Sequence, residues 1–154
     1  MSLSDLITPD SIMPPLRART GKQVIQEMAE RAGGLSGLPA SVISEAVRLR
    51  EQLGPTGVGG GVAIPHAKIK GVGKIFGVVA RVEKPVEFQS RDGAPVDLFF
   101  MLIAPESAGA EHLKALSRVA RVLHNTSLVN DLRAAQDAAA LYMLLTRATD
   151  SRAA

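Results

Sequence analysis

Residues 96–103 form a nearly unbroken apolar run, which constrains the fold of this chain more than any other feature of its sequence. A strand with one face in water alternates apolar and polar residues, so such a run is typical of a strand covered on both faces. Shorter apolar runs at residues 62–64 and 75–82 predict two further strands. Pro105 follows the central run and ends it.

Helical patterns lie before and after these strands. Thr20 and, three residues later, Gln23 match a capping box, and Gly33-Gly34 predict the end of this first helix. Three helices are predicted after the strands, at residues 111–123, 127–135 and 137–146. This order predicts an α+β fold with three α/β/α layers, in which a mixed central sheet carries helices on both faces.

The second helix is predicted to begin near Pro39 and to stop at Gly54-Pro55. Its buried face is predicted from apolar residues at helical spacing, which are Val42, Ala46, Leu49 and Leu53. Ile43 and Val47 widen this face. Arg50 follows them at helical spacing and is predicted to lie at the edge of the buried face, near the C-terminal end of the helix.

Length and composition predict a single domain. The chain has 154 residues, of which 46% are hydrophobic, and this suits one packed core. We expect the domain to span residues 6–147, with loose ends at residues 1–5 and 148–154. The longest strongly apolar run is far shorter than the roughly 20 residues that cross a bilayer. With no secretory signal visible, we expect a cytoplasmic protein that does not insert into a membrane.

The charge and residue types exclude several functions. The net charge is only +3, the basic residues are scattered, and aromatic residues make up 3%, so nucleic-acid binding is not expected. The absence of cysteine excludes disulfides, thiol catalysis and Cys-based metal sites. The wide spacing of the histidines, without a carboxylate triad, does not predict a metal site. No cofactor is expected.

A glycine-rich loop followed by a histidine is the most informative stretch. Four glycines occur within residues 57–61, and they suggest unusual backbone angles or a close approach to another group. Backbone N–H groups in such a loop can bind anions. His66 follows the predicted strand and Pro65 directly, where an imidazole could act as a nucleophile. From spacing alone, however, a solvated histidine in a turn is the better interpretation.

Two further residues are candidates for the same chemistry. His112 lies in the first turn of its predicted helix, in line with the core-facing residues, where a packed or capping histidine is the usual case. Arg50 could clamp a phosphate with its planar fork of donors, although a solvated helix arginine is commoner.

Residues 50–68 resemble the signature of the IIA domains of the fructose/mannitol class of the bacterial phosphotransferase system. The core of that signature reads here Val58-Gly59-Gly60-Gly61-Val62-Ala63-Ile64-Pro65-His66-Ala67. Residues 95–100 and 111–117 resemble the central strand and the following helix of the family. Residues 132–136 are similar to the tail of its nitrogen-regulatory branch, and the resemblance covers about residues 6–146.

This resemblance implies a site and a reaction. It implies that His66 accepts a phosphoryl group, that His112 supports it and that Arg50 clamps the phosphate. The implied donor is a small histidine phosphocarrier protein (HPr- or NPr-like). We further expect the loop to contact the phosphoryl oxygens through Thr56, Gly57, Gly59, Gly60 and Gly61.

Three functions remain open at this level. The first is a phosphotransferase of the nitrogen-regulatory type, whose phosphorylation state regulates partner proteins such as transporters or sensor kinases. The second is a IIA component of fructose or mannitol uptake. The third is a regulatory binding module that works independently of phosphorylation.

Overall fold

The computed structural model describes the backbone of residues 2–153 and the side chains of residues 2–147. Within this part, the helices are α1 (Gly21–Ser36), α2 (Ala40–Leu53), α3 (Ala110–Leu123), α4 (Thr126–Ala134) and α5 (Ala138–Ala153). The strands are β1 (Gly57–Gly59), β2 (Val62–Ala63), β3 (His66–Ile69), β4 (Phe76–Val86) and β5 (Val96–Pro105). The expected loose segment 148–154 lies outside the residues whose side chains are described. No described helix is both long and apolar enough to cross a membrane.

The apolar run at residues 96–103 is the centre of the sheet, as its composition predicts. Strand β4 pairs with one edge of β5 in antiparallel orientation. The short strands β2 and β3 follow one another along the other edge of β5, both parallel to it. Strand β1 pairs with β2 in antiparallel orientation, so the sheet is mixed.

Helices cover both faces of this sheet, which confirms the predicted α+β fold with three layers. On one face, alternate residues of β5, including Leu98, Phe100 and Leu102, belong to a core cluster with α3, α4 and α5. On the other face, Phe99, Met101 and Ile103 belong to a second cluster with α1 and α2. The strand is therefore apolar at nearly every position because both of its faces are buried.

The first helix ends later than predicted. It continues through Gly33 and Gly34 to Ser36, and Gly37 caps it in the left-handed conformation, at φ 82°. Gly33 is useful inside the helix, because a Cβ atom there would lie 2.8 Å from the carbonyl oxygen of Leu38. The Thr20 cap is confirmed, since its side chain accepts a bond from the N–H of Gln23. The reciprocal bond of a capping box is replaced, because the Gln23 side chain accepts the N–H of Arg19 at 2.8 Å.

The predicted buried face of α2 is wrong in part. Ile43 and Val47, the residues predicted to widen it, are buried and Ala46 is partly buried, whereas Val42, Leu49 and Leu53 are exposed. Successive residues of a helix point about 100° apart, so the helix is rotated by about one residue relative to the prediction. The line from Ile43 and Val47 leads to Arg50, which consequently lies at the edge of the core.

The N-terminal residues also differ from the expected loose end. Leu3–Asp5 forms a short 3₁₀ turn, and Leu3 is completely buried against the α3–α5 side of the sheet. The carbonyl of Leu6 then accepts the N–H of Gly77 at 2.8 Å, which ties this segment to β4. The free energy gained by burying the side chain of Leu3 offsets the entropy that is lost when these residues become ordered.

Candidate functional site

The C-terminal end of α2, the start of β3 and the first turn of α3 surround one open cavity of about 500 Å³. Arg50, His66 and His112 all line it, together with Lys68. Arg50 and His66 are 16 positions apart in the sequence, and His66 and His112 are 46 positions apart, but the fold brings all three to one place. The structure thus places the three predicted site side chains around a common space.

Strand pairing positions His66. The residue begins β3, opposite Leu102 of β5, and the N–H of Leu102 also binds the carbonyl of Pro65 at 2.9 Å. The ring Nδ1 lies 2.8 Å from the carbonyl oxygen of Ile64. A carbonyl can only accept, so Nδ1 carries the proton in this bond, and the lone pair of the ring is on Nε2.

The surroundings of His66 favour its neutral form. Burial lowers its pKa from the ordinary 6.5; the bond to the Ile64 carbonyl raises it, the charge of Arg50 lowers it and that of Glu51 raises it. The net direction is downward, with burial the largest cause. A neutral imidazole with a free Nε2 is the nucleophilic form of histidine.

His112 supports one wall of the cavity. It is 6% exposed, and its ring meets that of His66 edge to face, with centroids 5.5 Å apart and planes at 82°. Burial lowers the pKa of His112, and the positive charges of His66 when it is protonated, of Lys68 and of Arg50 lower it further. Its Nε2 is buried and has no hydrogen-bond partner among the described residues. An unpaired buried polar atom is uncommon and is often found at a functional site.

Two cations line the same cavity. Arg50 is half-buried, and its Nη1 donates to the carbonyl of Gly54 at 3.1 Å, which caps α2 and anchors the guanidinium. Lys68 lies two residues after His66 on β3, and residues two apart share a face of a strand. The two-residue period of a strand places Lys68 beside His66 only when β3 is known to be a strand, so the sequence alone assigns Lys68 no role. Both side chains can neutralise an anion in the cavity.

The glycine-rich loop is not brought to this cavity. Neither Thr56 nor any glycine of residues 57–61 lines it. Gly59 and Gly60 instead line a second cavity, of about 770 Å³, near the junction of α3 and α4. The N–H of Gly60 donates to Asp92 at 3.0 Å, and the side chain of Arg133 donates to the Gly60 carbonyl.

Backbone conformation accounts for the glycines instead. Gly59, Gly60 and Gly61 have φ values of 97°, 67° and 80°, which favour glycine over other residues. Gly57 lies so close to the segment before β5 that a Cβ atom would meet the carbonyl oxygen of Gln89. The loop is therefore explained by its turn and by close packing. The described residues contain no group of three or more His, Asp or Glu side chains that could hold a metal ion.

Comparison with known proteins identifies the family to which this chain belongs. The model of the phosphoenolpyruvate-dependent sugar phosphotransferase system EIIA 2 family matches residues 5–148. The chain belongs to this family. The EIIA 2 match covers every residue of the cavity, so the paired histidines and the arginine lie within the family's own domain.

Individual relatives narrow the assignment within the EIIA 2 family. A nitrogen regulatory protein of Bradyrhizobium diazoefficiens is 48% identical, over 94% of this chain and 95% of its own length. The crystal structure of nitrogen regulatory protein IIA-Ntr from Neisseria meningitidis matches with a TM-score of 0.88 and 33% identity, covering 94% of this chain and 99% of that one. The fructose-specific EIIABC component of Bacillus subtilis is 33% identical over 96% of this chain, but only 23% of its own length is covered. The chain is thus an EIIA 2 domain of the nitrogen regulatory protein family.

Proposed function

We propose that this EIIA 2 domain accepts a phosphoryl group on Nε2 of His66 from a histidine phosphocarrier protein (HPr- or NPr-like), and that its phosphorylation state regulates partner proteins. The observation that carries the proposal is the single cavity in which His66 faces His112 beside Arg50. The bond from Nδ1 to Ile64 leaves Nε2 as the nitrogen that attacks.

The reaction moves one phosphoryl group between two nitrogens. The lone pair of His66 Nε2 forms the new N–P bond, and the nitrogen of the donor histidine keeps the electron pair of the bond that breaks. The proton on Nδ1 remains hydrogen-bonded to the Ile64 carbonyl. Because one phosphohistidine replaces another, the domain contributes mainly positioning and charge neutralisation.

The cavity supplies that neutralisation. The guanidinium of Arg50 and the ammonium of Lys68 balance the negative charge on the transferring oxygens. Nε2 of His112, which has no partner among the described residues, is the atom we assign as a donor to a phosphoryl oxygen. His112 would carry the proton on that nitrogen in its neutral tautomer.

Exposed leucines beside the cavity supply a surface for the donor protein. Leu49 and Leu53 line the cavity and are 49% and 85% exposed. Leu113, next to His112 on α3, is exposed as well. Apolar side chains around a charged centre are typical of a protein-docking surface, since their burial supplies affinity while the charges supply orientation.

The direct test is incubation with phosphoenolpyruvate, the first enzyme of the system and its phosphocarrier, followed by intact mass measurement. We expect one added phosphoryl group in the wild type and none in His66→Ala. Arg50→Ala and His112→Ala should remain folded and accept the group roughly a hundredfold more slowly, as expected for removal of one charge-stabilising donor. A wild-type protein that gains no mass would contradict phosphoryl transfer and favour the phosphorylation-independent binding module.

Regulation and sugar uptake differ in what consumes the phosphoryl group. The nitrogen regulatory relative, matched along almost its whole length, favours regulation, whereas the fructose-specific relative favours uptake. We expect the phosphorylated chain to transfer poorly to a fructose or mannitol IIB domain. We also expect a regulatory target, such as a transporter or sensor kinase, to bind one phosphorylation state preferentially. Fast transfer to a IIB domain would contradict the regulatory assignment.

A further inference from the structure

Arg50 and Glu51 are consecutive residues of α2, but their side chains serve different places. Arg50 lines the His66 cavity, whereas Glu51 reaches the turn before β1. The carboxylate of Glu51 accepts two hydrogen bonds from Thr56, one from its backbone N–H at 3.1 Å and one from its hydroxyl. We call this pair the Glu51–Thr56 latch. Thr56 is buried, so water competes little for these bonds.

The latch is linked to the phosphoryl acceptor by two further hydrogen bonds. The backbone carbonyl of Thr56 accepts the N–H of Ile64 at 2.9 Å. The carbonyl of Ile64 in turn accepts Nδ1–H of His66 at 2.8 Å. Among the described residues, the Ile64 carbonyl is the one group that holds the His66 ring by a hydrogen bond, and it is attached, through Thr56, to the end of α2.

We propose that Glu51 and Thr56 are positioning residues for phosphoryl transfer. The latch holds the backbone of Ile64 so that His66 presents Nε2 to the cavity, at a fixed distance from the guanidinium of Arg50. This inference rests on the function proposed above.

The position of Glu51 favours this role over simple capping of the helix. Its carboxylate is partly buried, and no Lys or Arg among the described side chains forms an ion pair with it. The two Thr56 bonds are therefore what compensates its desolvation. Because Arg50 and Glu51 are adjacent on one helix, anchoring Glu51 to the His66 side also sets where Arg50 lies.

Loss of the latch should affect the reaction more than the affinity for the donor. If the Ile64 carbonyl shifts, the ring can rotate or change tautomer, and Nδ1 then competes with Nε2. A displacement of about 1 Å at a reacting atom lowers rates by up to roughly a hundredfold. Leu49 and Leu53 are the exposed leucines of α2 that we assign to donor docking. Neither forms an observed hydrogen bond with Thr56 in the described part of the chain.

The test compares Glu51→Gln and Thr56→Val with two matched controls. Thr56→Ser retains the hydroxyl donor. Glu45→Gln removes a carboxylate from the same helix, where it forms a surface pair with Arg48 at 2.7 Å. Kinetics of transfer from the phosphorylated phosphocarrier give kcat and KM, and ¹⁵N NMR of the histidine rings gives the tautomer of His66.

We expect Glu51→Gln and Thr56→Val to lower kcat roughly ten- to a hundredfold with KM unchanged. Their spectra should show partial loss of the Nδ1–H tautomer, while Thr56→Ser and Glu45→Gln behave like the wild type. Folded Glu51→Gln and Thr56→Val proteins with wild-type kcat and tautomer would overturn the proposal, as would a loss of kcat in Glu45→Gln of the same size. If Thr56→Val does not fold, the comparison of Glu51→Gln with Glu45→Gln decides. If the wild type accepts no phosphoryl group, the proposed function fails, and the tautomer measurements still test the latch.

Discussion

Replacing Leu53 with serine should weaken recognition of the phosphoryl donor without affecting the fold. Leu53 is the last residue of α2, lines the His66 cavity and is 85% exposed. Removing an exposed leucine should change the free energy of unfolding by less than about 0.5 kcal/mol. In a complex with the phosphocarrier, the same side chain would become buried.

The magnitude follows from that exposure. Complete burial of a leucine side chain contributes about 1.5–3 kcal/mol, and the 85% of Leu53 that is available for docking corresponds to about 1.3–2.5 kcal/mol. Since 1.4 kcal/mol is a factor of ten, KM for the phosphorylated phosphocarrier should rise roughly 10- to 60-fold. The value of kcat should remain unchanged, because Leu53 is not part of the reacting group.

The assay measures initial rates of phosphoryl transfer at increasing concentrations of phosphorylated phosphocarrier. Leu35→Ser is the matched control, because Leu35 is a 39% exposed leucine on α1 that does not line the cavity. An unchanged KM in Leu53→Ser, or an equal rise in Leu35→Ser, would refute the assignment of this surface. A fall in kcat at constant KM would show that Leu53 affects the chemistry instead of docking.

Two further predictions concern stability. The pKa values of His66 and His112 are both lowered from 6.5, so the unfolded chain binds protons first as the pH falls. The free energy of unfolding should therefore decrease from about pH 6.5 downward, and it should decrease less in a variant with both histidines replaced. Urea titrations at several pH values would measure this difference. Equal slopes of unfolding free energy against pH in the two proteins would contradict the prediction. Gly77→Ala should lower stability by about 1–3 kcal/mol in thermal unfolding, because a Cβ atom would lie 2.3 Å from the ring of the buried Phe100. Gly73→Ala, where a Cβ atom meets nothing within 4 Å, is the control, and similar losses in both variants would exclude this steric reason.

The sequence predicts those features of the fold that depend on local patterns. The central strand follows from an apolar run that is typical of a strand covered on both faces, and the Thr20 cap follows from residues three positions apart. The family follows from consecutive residues around His66, since many constrained positions match in order. Each of these signals is contained within a short segment, so no knowledge of distant contacts is needed.

Other features required the tertiary structure. The helical period of α2 is compatible with two neighbouring faces, and packing against the sheet selects the face of Ile43 and Val47. The selection has a functional consequence, because it exposes Leu49 and Leu53 beside the cavity. Strand β3 was not predicted either, since its four residues are a strand only through pairing with β5.

The same division holds for the candidate site. The sequence by itself identified His66, His112 and Arg50 as the residues to examine, because motif and residue chemistry are local properties. Only the tertiary structure decided that they share a cavity, that Nδ1 of His66 is occupied by Ile64, and that the glycine-rich loop lies elsewhere. It also revealed the hydrogen-bonded link from Glu51 through Thr56 and Ile64 to the ring of His66. These features depend on distances between segments far apart in the chain, and such distances are set by how the helices pack on the sheet.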